Sequence, residues 1–483
     1  MSKDTIETAN KELVKRAEKA EKKARKAIEK QKELERENRR LQRKISKLEE
    51  AEKVKNVKNK VEIGRGDNAV IPQRVARHHY CDIQILTALL LYVYAGVSLR
   101  GVPKVLEVFN KVTGASTGDV PSYTTVDTWV KKAGLSVLRK SQESLDTAYA
   151  LIVDESISVG GVKVQLGLAV PAQFPGKAIT CSDTEVACLT ASKCGSGEHI
   201  ATLLRGLPGG EERVEYGICD GGKNLDKGFR TCGICKHRDI GHTFGTILEQ
   251  TYGKDEEFNE LTRLVGNTRR WSQTDLAPLM APNQRSVARF MNLYLWIEWA
   301  SRMIGGGYVL NKTERYHTGF LRLHASLIDE LDEVTSCMKD AMEIAKNQGL
   351  SRGSAEAIRT MVGRQLISSG CDRERRIGMM MVDYINEECL LLKSDDDVHV
   401  ISSDIIESTF GSYKGHMSPN KQYGITTQVL FIPLHTKCES VDGAISQLDI
   451  CEMFKDTTIG NVREWGKENL PPSPMRLRMQ KCA

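Results

Sequence analysis

The absences in this 483-residue chain narrow its class first. It has no long hydrophobic run. The longest, Ile83 to Val97, is interrupted by Gln84 and Thr87 and is too short and too polar to span a bilayer. The start, Met1-Ser2-Lys3-Asp4, shows no apolar segment of the kind found in a signal peptide. These absences predict a cytoplasmic protein with no membrane partner, whose thirteen cysteines stay mostly reduced. No second CxxC accompanies Cys232-Gly233-Ile234-Cys235. A closed zinc site takes four ligands, and although His237, His242 or Cys219 could complete one, structural zinc is not expected. The turn Cys194-Gly195-Ser196-Gly197 lacks the Walker lysine, which argues against nucleotide binding. Net charge is only +6, with 27% charged and 40% hydrophobic residues, ordinary for a globular chain long enough for several domains.

That small charge is unevenly spread. Residues 1–60 hold 21 Lys+Arg against 12 Asp+Glu, a local +9, and the remainder is slightly acidic. Residues 8–54 contain no Gly or Pro, and a 4-3 spacing runs through Leu13, Ala17, Ala20, Ala24, Ala27, Gln31, Leu34, Asn38, Leu41, Ile45 and Leu48. Leu at d, with Asn38 and Ile45 at a, favours a parallel two-stranded coiled coil. The g-to-e′ pairs Arg16–Glu21, Lys30–Glu35 and Lys44–Glu49 are all attractive. A basic coiled coil over 1–60 and a homodimer are therefore expected, a lone solvated helix being the alternative. A polar linker follows, placed at 61–71.

Residues 72–142 read as a compact helical region, with helices over Cys81–Gly96, Leu99–Thr113 and Thr124–Gly134. The third opens Pro121-Ser122-Tyr123-Thr124-Thr125-Val126-Asp127-Thr128-Trp129-Val130-Lys131-Lys132. Short polar residues at a helix start, an apolar stripe and two lysines resemble the recognition helix of a helix-turn-helix. There Thr124 and Thr125 would meet base edges and Lys131 and Lys132 phosphates. An ordinary helical bundle is the other reading.

From about 148 the period becomes strand-like. Asp154 lies within Ala150-Leu151-Ile152-Val153-Asp154-Glu155-Ser156-Ile157-Ser158-Val159, and Asp220 closes Val214-Glu215-Tyr216-Gly217-Ile218-Cys219. Further strands are expected over Val162–Val170 and Glu185–Ala191, with a helix near Glu198–Gly206. Helices dominate 255–395, including a long stretch over Glu314–Asn347, and a strand is expected at Gly424–Ile432. Gly460–Ala483, with Pro471-Pro472-Ser473-Pro474, reads as a loose end within a C-terminal tail over 441–483. Glu407 sits in Asp404-Ile405-Ile406-Glu407-Ser408-Thr409-Phe410-Gly411. A carboxylate in a buried strand is costly unless paired or bound to metal, although an Asp at a strand end is also a common turn former. Two strand-borne aspartates and a helix-borne glutamate could hold two divalent ions for phosphoryl transfer.

This constellation resembles the DDE transposases of bacterial insertion sequences. Their core has a ribonuclease H-like fold, with the first Asp on the first strand, the second just after the fourth and the Glu on a later helix. The 187 positions between Asp220 and Glu407 resemble members with a helical insertion before the Glu. Asp239-Ile240-Gly241-His242 resembles an acidic-x-x-His step, making Asp239 and His242 possible auxiliary residues. Gln284-Arg285-Ser286-Val287-Ala288-Arg289 resembles a basic stretch of the insertion, and Lys414, seven positions past Glu407, resembles a DNA-contacting lysine. Val400 and Ser403 depart from the fuller signature, which has Tyr and Arg there.

The resemblance implies a multidomain α/β protein. A ribonuclease H-like mixed sheet (148–254 and 396–440) would carry a large helical insertion (255–395). It would follow a helix-turn-helix region and an N-terminal coiled coil. The resemblance also implies metal-dependent cleavage and strand transfer at the ends of a mobile element on bacterial nucleoid DNA. Asp154, Asp220 and Glu407 would be catalytic and would hold Mg²⁺ or Mn²⁺, as two ions. Double-stranded DNA would meet Thr124, Thr125, Lys131, Lys132, Arg285, Arg289 and Lys414. The alternatives are a non-catalytic dimeric helix-turn-helix regulator and a ribonuclease H-like nuclease without strand transfer.

Overall fold

The computed structural model describes residues 72–113, 119–159, 161–193, 195–275, 280–282, 290–305, 309–417 and 424–472. The chain divides into two units, Met1–Pro72 and Gln73–Ala483. The expected coiled coil and linker, and also Arg285 and Arg289, lie outside the described residues. Among the described residues, no helix is long and apolar enough to cross a membrane.

The second unit is mixed α/β. Three helices come first: α1 (Asp82–Val93), α2 (Gly101–Thr113) and α3 (Tyr123–Ser144). Strands β1 (Tyr149–Val159), β2 (Val162–Pro171) and β3 (Glu185–Ser192) then form an antiparallel meander. Helix α4 (Gly197–Arg205) leads to β4 (Val214–Cys219), and α5 (Lys223–Cys232) leads to β5 (Lys236–Arg238). β4 pairs parallel to β1 and β5 parallel to β4, giving the order β3-β2-β1-β4-β5.

Side-chain alternation assigns the two faces of this sheet. Leu151, Val153, Val214 and Cys219 pack with Ile200 and Leu204 of α4 and Leu225 and Phe229 of α5. Ala150, Ile152, Tyr216 and Ile218 face the opposite core, which also holds Val126, Trp129 and Val130 of α3. Helices α6 (Ile240–Tyr252) through α13 (Asp372–Cys389), which take in most of the stretch 255–395, build a separate apolar core of their own. Within it lie α7 (Glu256–Asp275), α8 (Leu293–Ile304), α9 (Lys312–Thr318), α10 (Phe320–Leu323), α11 (Ala325–Gln348) and α12 (Arg352–Val362). The chain returns through α14 (Asp404–His416) and α15 (Phe431–Thr436), and then α16 (Val441–Gln447), α17 (Ile450–Asp456) and α18 (Ile459–Asn469).

Several expectations need correcting. The helices of the 72–142 region, α1–α3, share one apolar core with the sheet and α14–α18. The third helix does not stop at Gly134 but runs to Ser144. Gly134 serves packing instead, because a Cβ there would stand 1.8 Å from the Leu430 carbonyl oxygen. The stretch expected as a strand at Gly424–Ile432 forms a 3₁₀ turn over Thr427–Leu430 and the start of α15. Its run Val429-Leu430-Phe431-Ile432 is buried throughout, so it shows no strand alternation, and a short continuous apolar run does not discriminate strand from helix. The tail expected over 441–483 is ordered as three helices up to Asn469, because Ile450, Met453, Phe454 and Val462 complete the sheet's core. The long helical stretch over Glu314–Asn347 is divided at Gly319 and His324 into α9, α10 and α11. Helix α5 and the three-residue β5 were not expected at all.

Candidate active site

The site begins with strand register. Ile152 of β1 lies opposite Ile218 of the parallel neighbour β4. Two residues further along each strand direction come Asp154 and Asp220, so alternation turns both toward the face that carries Ile152 and Ile218. Asp154 accepts the Glu155 backbone N–H at 2.7 Å, and Asp220 accepts that of Gly222 at 3.0 Å. A Cβ on Gly222 would come 2.8 Å from Asp220 Oδ1, so glycine suits this tight return. Helix α14 packs over β1, burying Ile406, Phe410 and Tyr413 in the same core and turning Glu407 to the aspartates' side.

Electrostatics tie the three carboxylates together. Burial, and next the charge of Asp220, raise the Asp154 carboxyl above its ordinary value. Glu407 is 45% exposed, yet lost hydration on its inner flank raises it too. Asp239, Asp404 and Asp154 add repulsion, and His242 opposes them. Lys414, one helical face along from Glu407, donates to Ser156 Oγ at 2.9 Å and eases the charge on Asp154.

Asp239 and His242 join this group in a specific way. Asp239, 2% exposed, caps α6: its Oδ1 accepts the His242 backbone N–H at 2.7 Å and pairs with His242 Nδ1 at 2.9 Å. Its Oδ2 accepts the Ser403 N–H at 2.6 Å and the Ser403 hydroxyl at 2.8 Å. Ser403 is the N-cap of α14, so one buried carboxylate fixes both the imidazole and the start of the glutamate helix. Burial alone would raise Asp239; the hydrogen bond and charge of His242 instead hold it below its ordinary value. Burial likewise opposes the charged form of His242, but Asp239 first, then Glu407 and Asp220, lift it to about 9. His242 Nε2 stands 3.7 Å from Glu407 Oε1. These carboxylates favour the charged imidazolium form of His242.

Sequence reading passed over what holds this segment. Val400 donates its N–H to the Tyr216 hydroxyl at 2.8 Å, and the Tyr216 ring stacks on His399 with centroids 4.0 Å apart. Buried His237 of β5 bridges Glu388 at 2.9 Å and His399 at 2.8 Å, tying sheet to insertion. The departures at Val400 and Ser403 were the available signal: both lie in the segment the sheet grips. Helix α1 reaches the far end of α14, where His416 Nε2 lies 2.9 Å from the Tyr92 carbonyl.

The residues proposed for DNA fall in different settings. Thr124 is exposed and Thr125 half-buried at the start of α3, whose Ser122 cap accepts the Thr125 N–H at 3.2 Å. Lys131 is ion-paired with Asp127 one turn earlier. Lys132 points inward: it is buried, donates to His78 at 2.8 Å and lies over the Phe454 ring at 4.1 Å. That placement withdraws Lys132 from any phosphate. The residues weighed for zinc have these settings. Cys219 is buried in β4, Cys232 faces the Ala201 carbonyl at 3.5 Å, Cys235 is exposed and His237 is bonded as above.

Among the described residues, no group of three or more His, Cys, Asp or Glu side chains is placed so that it could hold a metal ion. The donor chemistry nevertheless suits a hard cation. Asp154 is repelled by Asp220 and Glu407 by Asp154, and a divalent ion held by these carboxylates would relieve that repulsion. Comparison with protein-family models gives no match, and comparison with curated proteins gives none either.

Proposed function

We propose that this chain is a DDE-type transposase with a ribonuclease H-like core, cutting and joining DNA at the ends of a mobile element. The observation that carries the reading is the placement of Asp154 on β1 and of Asp220 just past the parallel neighbour β4, with Glu407 on a helix packed against β1. Isolated turn-forming or capping aspartates would not be expected to share one sheet face with a repelling glutamate. Asp154, Asp220 and Glu407 would hold Mg²⁺ or Mn²⁺, which when bound polarises phosphate oxygens and activates water or a DNA 3′-hydroxyl. The chain's own residues prepare that chemistry. Asp239 holds His242 charged and the α14 start in place. His242 and Lys414 supply positive charge beside the carboxylates, where a phosphodiester would sit.

Duplex DNA is the partner in this reading, with Thr124 and Thr125 at the start of α3 still open to it. Arg285, Arg289 and the dimerising segment 1–60 belong to the same proposal. The test is incubation of the full chain with Mg²⁺ and DNA carrying the element's own ends. Cleavage followed by joining is expected, and Asp154→Asn should bind DNA but cut none. Cleavage without joining would favour a nuclease of the same fold. Binding without cleavage by the wild type would favour a regulator.

A further inference from the structure

Helices α9 and α10 carry a feature that the carboxylate site does not use. Their inner side is anchored. Thr318 and Leu321 are buried, and the His317 ring stacks on Trp271 of α7 with centroids 3.6 Å apart. The Thr268 hydroxyl of α7 reaches the His317 carbonyl at 3.4 Å. A capping box between Asn311 and Glu314 starts α9, and Glu314 accepts the Asn311 N–H at 2.6 Å. The one carboxylate of α9 is therefore engaged in capping.

The outer side is different. Lys312, Arg315 and Tyr316 are exposed at helical spacing on one face of α9, and Arg322 and Leu323 are exposed on α10 just beyond the division at Gly319. Tyr316 and Leu323 are each 83% exposed. Among the described residues, none of Lys312, Arg315 and Arg322 has a carboxylate partner; Arg315 Nε only donates to the Leu310 carbonyl at 2.9 Å. Several cations on neighbouring helices are matched, Arg263 by Glu260, Arg302 by Glu298, and Arg373 by Glu330 and Asp255, whereas Arg270 of α7 meets only the Asn267 amide oxygen. Lys312, Arg315 and Arg322 lie within eleven residues of α9 and α10, beside the exposed Tyr316 ring.

We propose that this α9–α10 face is a contact surface for the sugar-phosphate backbone of duplex DNA. Lys312 to Arg322 covers roughly 15 Å of helix, enough for a few successive phosphates of one strand. The Tyr316 hydroxyl adds a neutral donor of a kind that commonly meets phosphate. A protein partner would call for an apolar centre, whereas this face has one leucine among three cations. Such contacts position DNA without reading sequence. The proposal rests on reading the chain as a DNA-processing protein, but its test requires no cleavage.

The experiment uses the full chain and a fluorescein-labelled mixed-sequence duplex, with anisotropy followed over a salt series. The wild type is compared with Lys312→Gln/Arg315→Gln/Arg322→Gln. Loss of three phosphate contacts should flatten the slope of log K against log salt by about 2.7 and weaken binding on the order of tenfold or more. A second variant, Lys312→Gln/Arg322→Gln, spares the Arg315–Leu310 bond and should lose about 1.8 of slope. Unchanged slope in both, at wild-type thermal stability, overturns the proposal. Unchanged DNA slope with lost binding to anionic phosphatidylserine vesicles would assign the face to a membrane surface and also overturn it. The salt slope is read without cleavage, so failure here is distinguishable from failure of the cleavage reading.

Discussion

Replacing Asp239 with Asn keeps the shape of the side chain and removes its charge. The wild-type carboxylate receives two donors on each oxygen: the His242 N–H and Nδ1–H on one, the Ser403 N–H and hydroxyl on the other. An amide has only one oxygen. Its NH₂ must face one of those pairs, and although the Ser403 hydroxyl can rotate to accept, a backbone N–H cannot. One buried N–H left unsatisfied costs about 1–3 kcal/mol, and losing a charge-assisted bond about 1.5–3 kcal/mol. A total of about 3–5 kcal/mol is expected, in line with breaking a buried ion pair, or a drop in Tm of roughly 5 °C for a chain this large. Histidine NMR gives the second readout. His242 titrates at about 9 in the wild type and should fall to the ordinary histidine range or below in Asp239→Asn. The sign of the pH dependence follows. A raised histidine stabilises the metal-free fold fully below about pH 6.5, and that stability is lost as pH rises through about 9. Asp239→Asn should lack this alkaline decline. Wild-type Tm and an unshifted His242 titration in the variant would refute the reasoning.

Other predictions concern separate parts of the molecule. Gly134→Ala should destabilise by about 3 kcal/mol, or prevent folding, because the added methyl meets the Leu430 carbonyl; unchanged thermal unfolding would contradict this packing. Lys132→Ala should lower Tm yet leave the salt slope of DNA binding unchanged, since its ammonium is turned toward His78 and Phe454. Burial, and then the neighbouring His237, depress His399 to about 4, so stability should fall as pH drops from about 6.5 to 4, as thermal scans would reveal, and His399→Gln should blunt that fall. Asp154→Asn should raise the Tm of the metal-free protein while abolishing cleavage, because it removes a repelling, half-buried charge.

The aspartates were legible because a carboxylate interrupting a buried strand breaks an otherwise apolar pattern. Asp154 in β1 and Asp220 just past β4 both lie where that pattern put them, and Glu407 lies on a helix as expected. The closeness of Asp154 and Asp220 depends on parallel pairing of β1 with β4, which no local signal encodes. Lys132 misled because two adjacent lysines on a helix point about 100° apart: one stays near the surface with Asp127, and the other enters the core. The strand expectation at 424–432 failed because Leu430 is pressed against Gly134, and a tertiary contact nearly 300 positions away in sequence overrides local propensity. The C-terminal helices were hidden for the same reason. Each is short, and the apolar residues of α17 and α18 gain their meaning only from α3 and β3. The three-residue β5 had too few residues to show any period.

The central claim is that Asp154, Asp220 and Glu407 form one divalent-metal site. Anomalous diffraction from crystals of the chain soaked in Mn²⁺ tests it most directly. The account predicts anomalous peaks between the ends of β1 and β4 and the first turn of α14, ligated at about 2.0–2.2 Å by oxygens from all three carboxylates, and lost in Asp154→Asn. Ordered crystals with Mn²⁺ bound elsewhere, or bound there unchanged in Asp154→Asn, would contradict it.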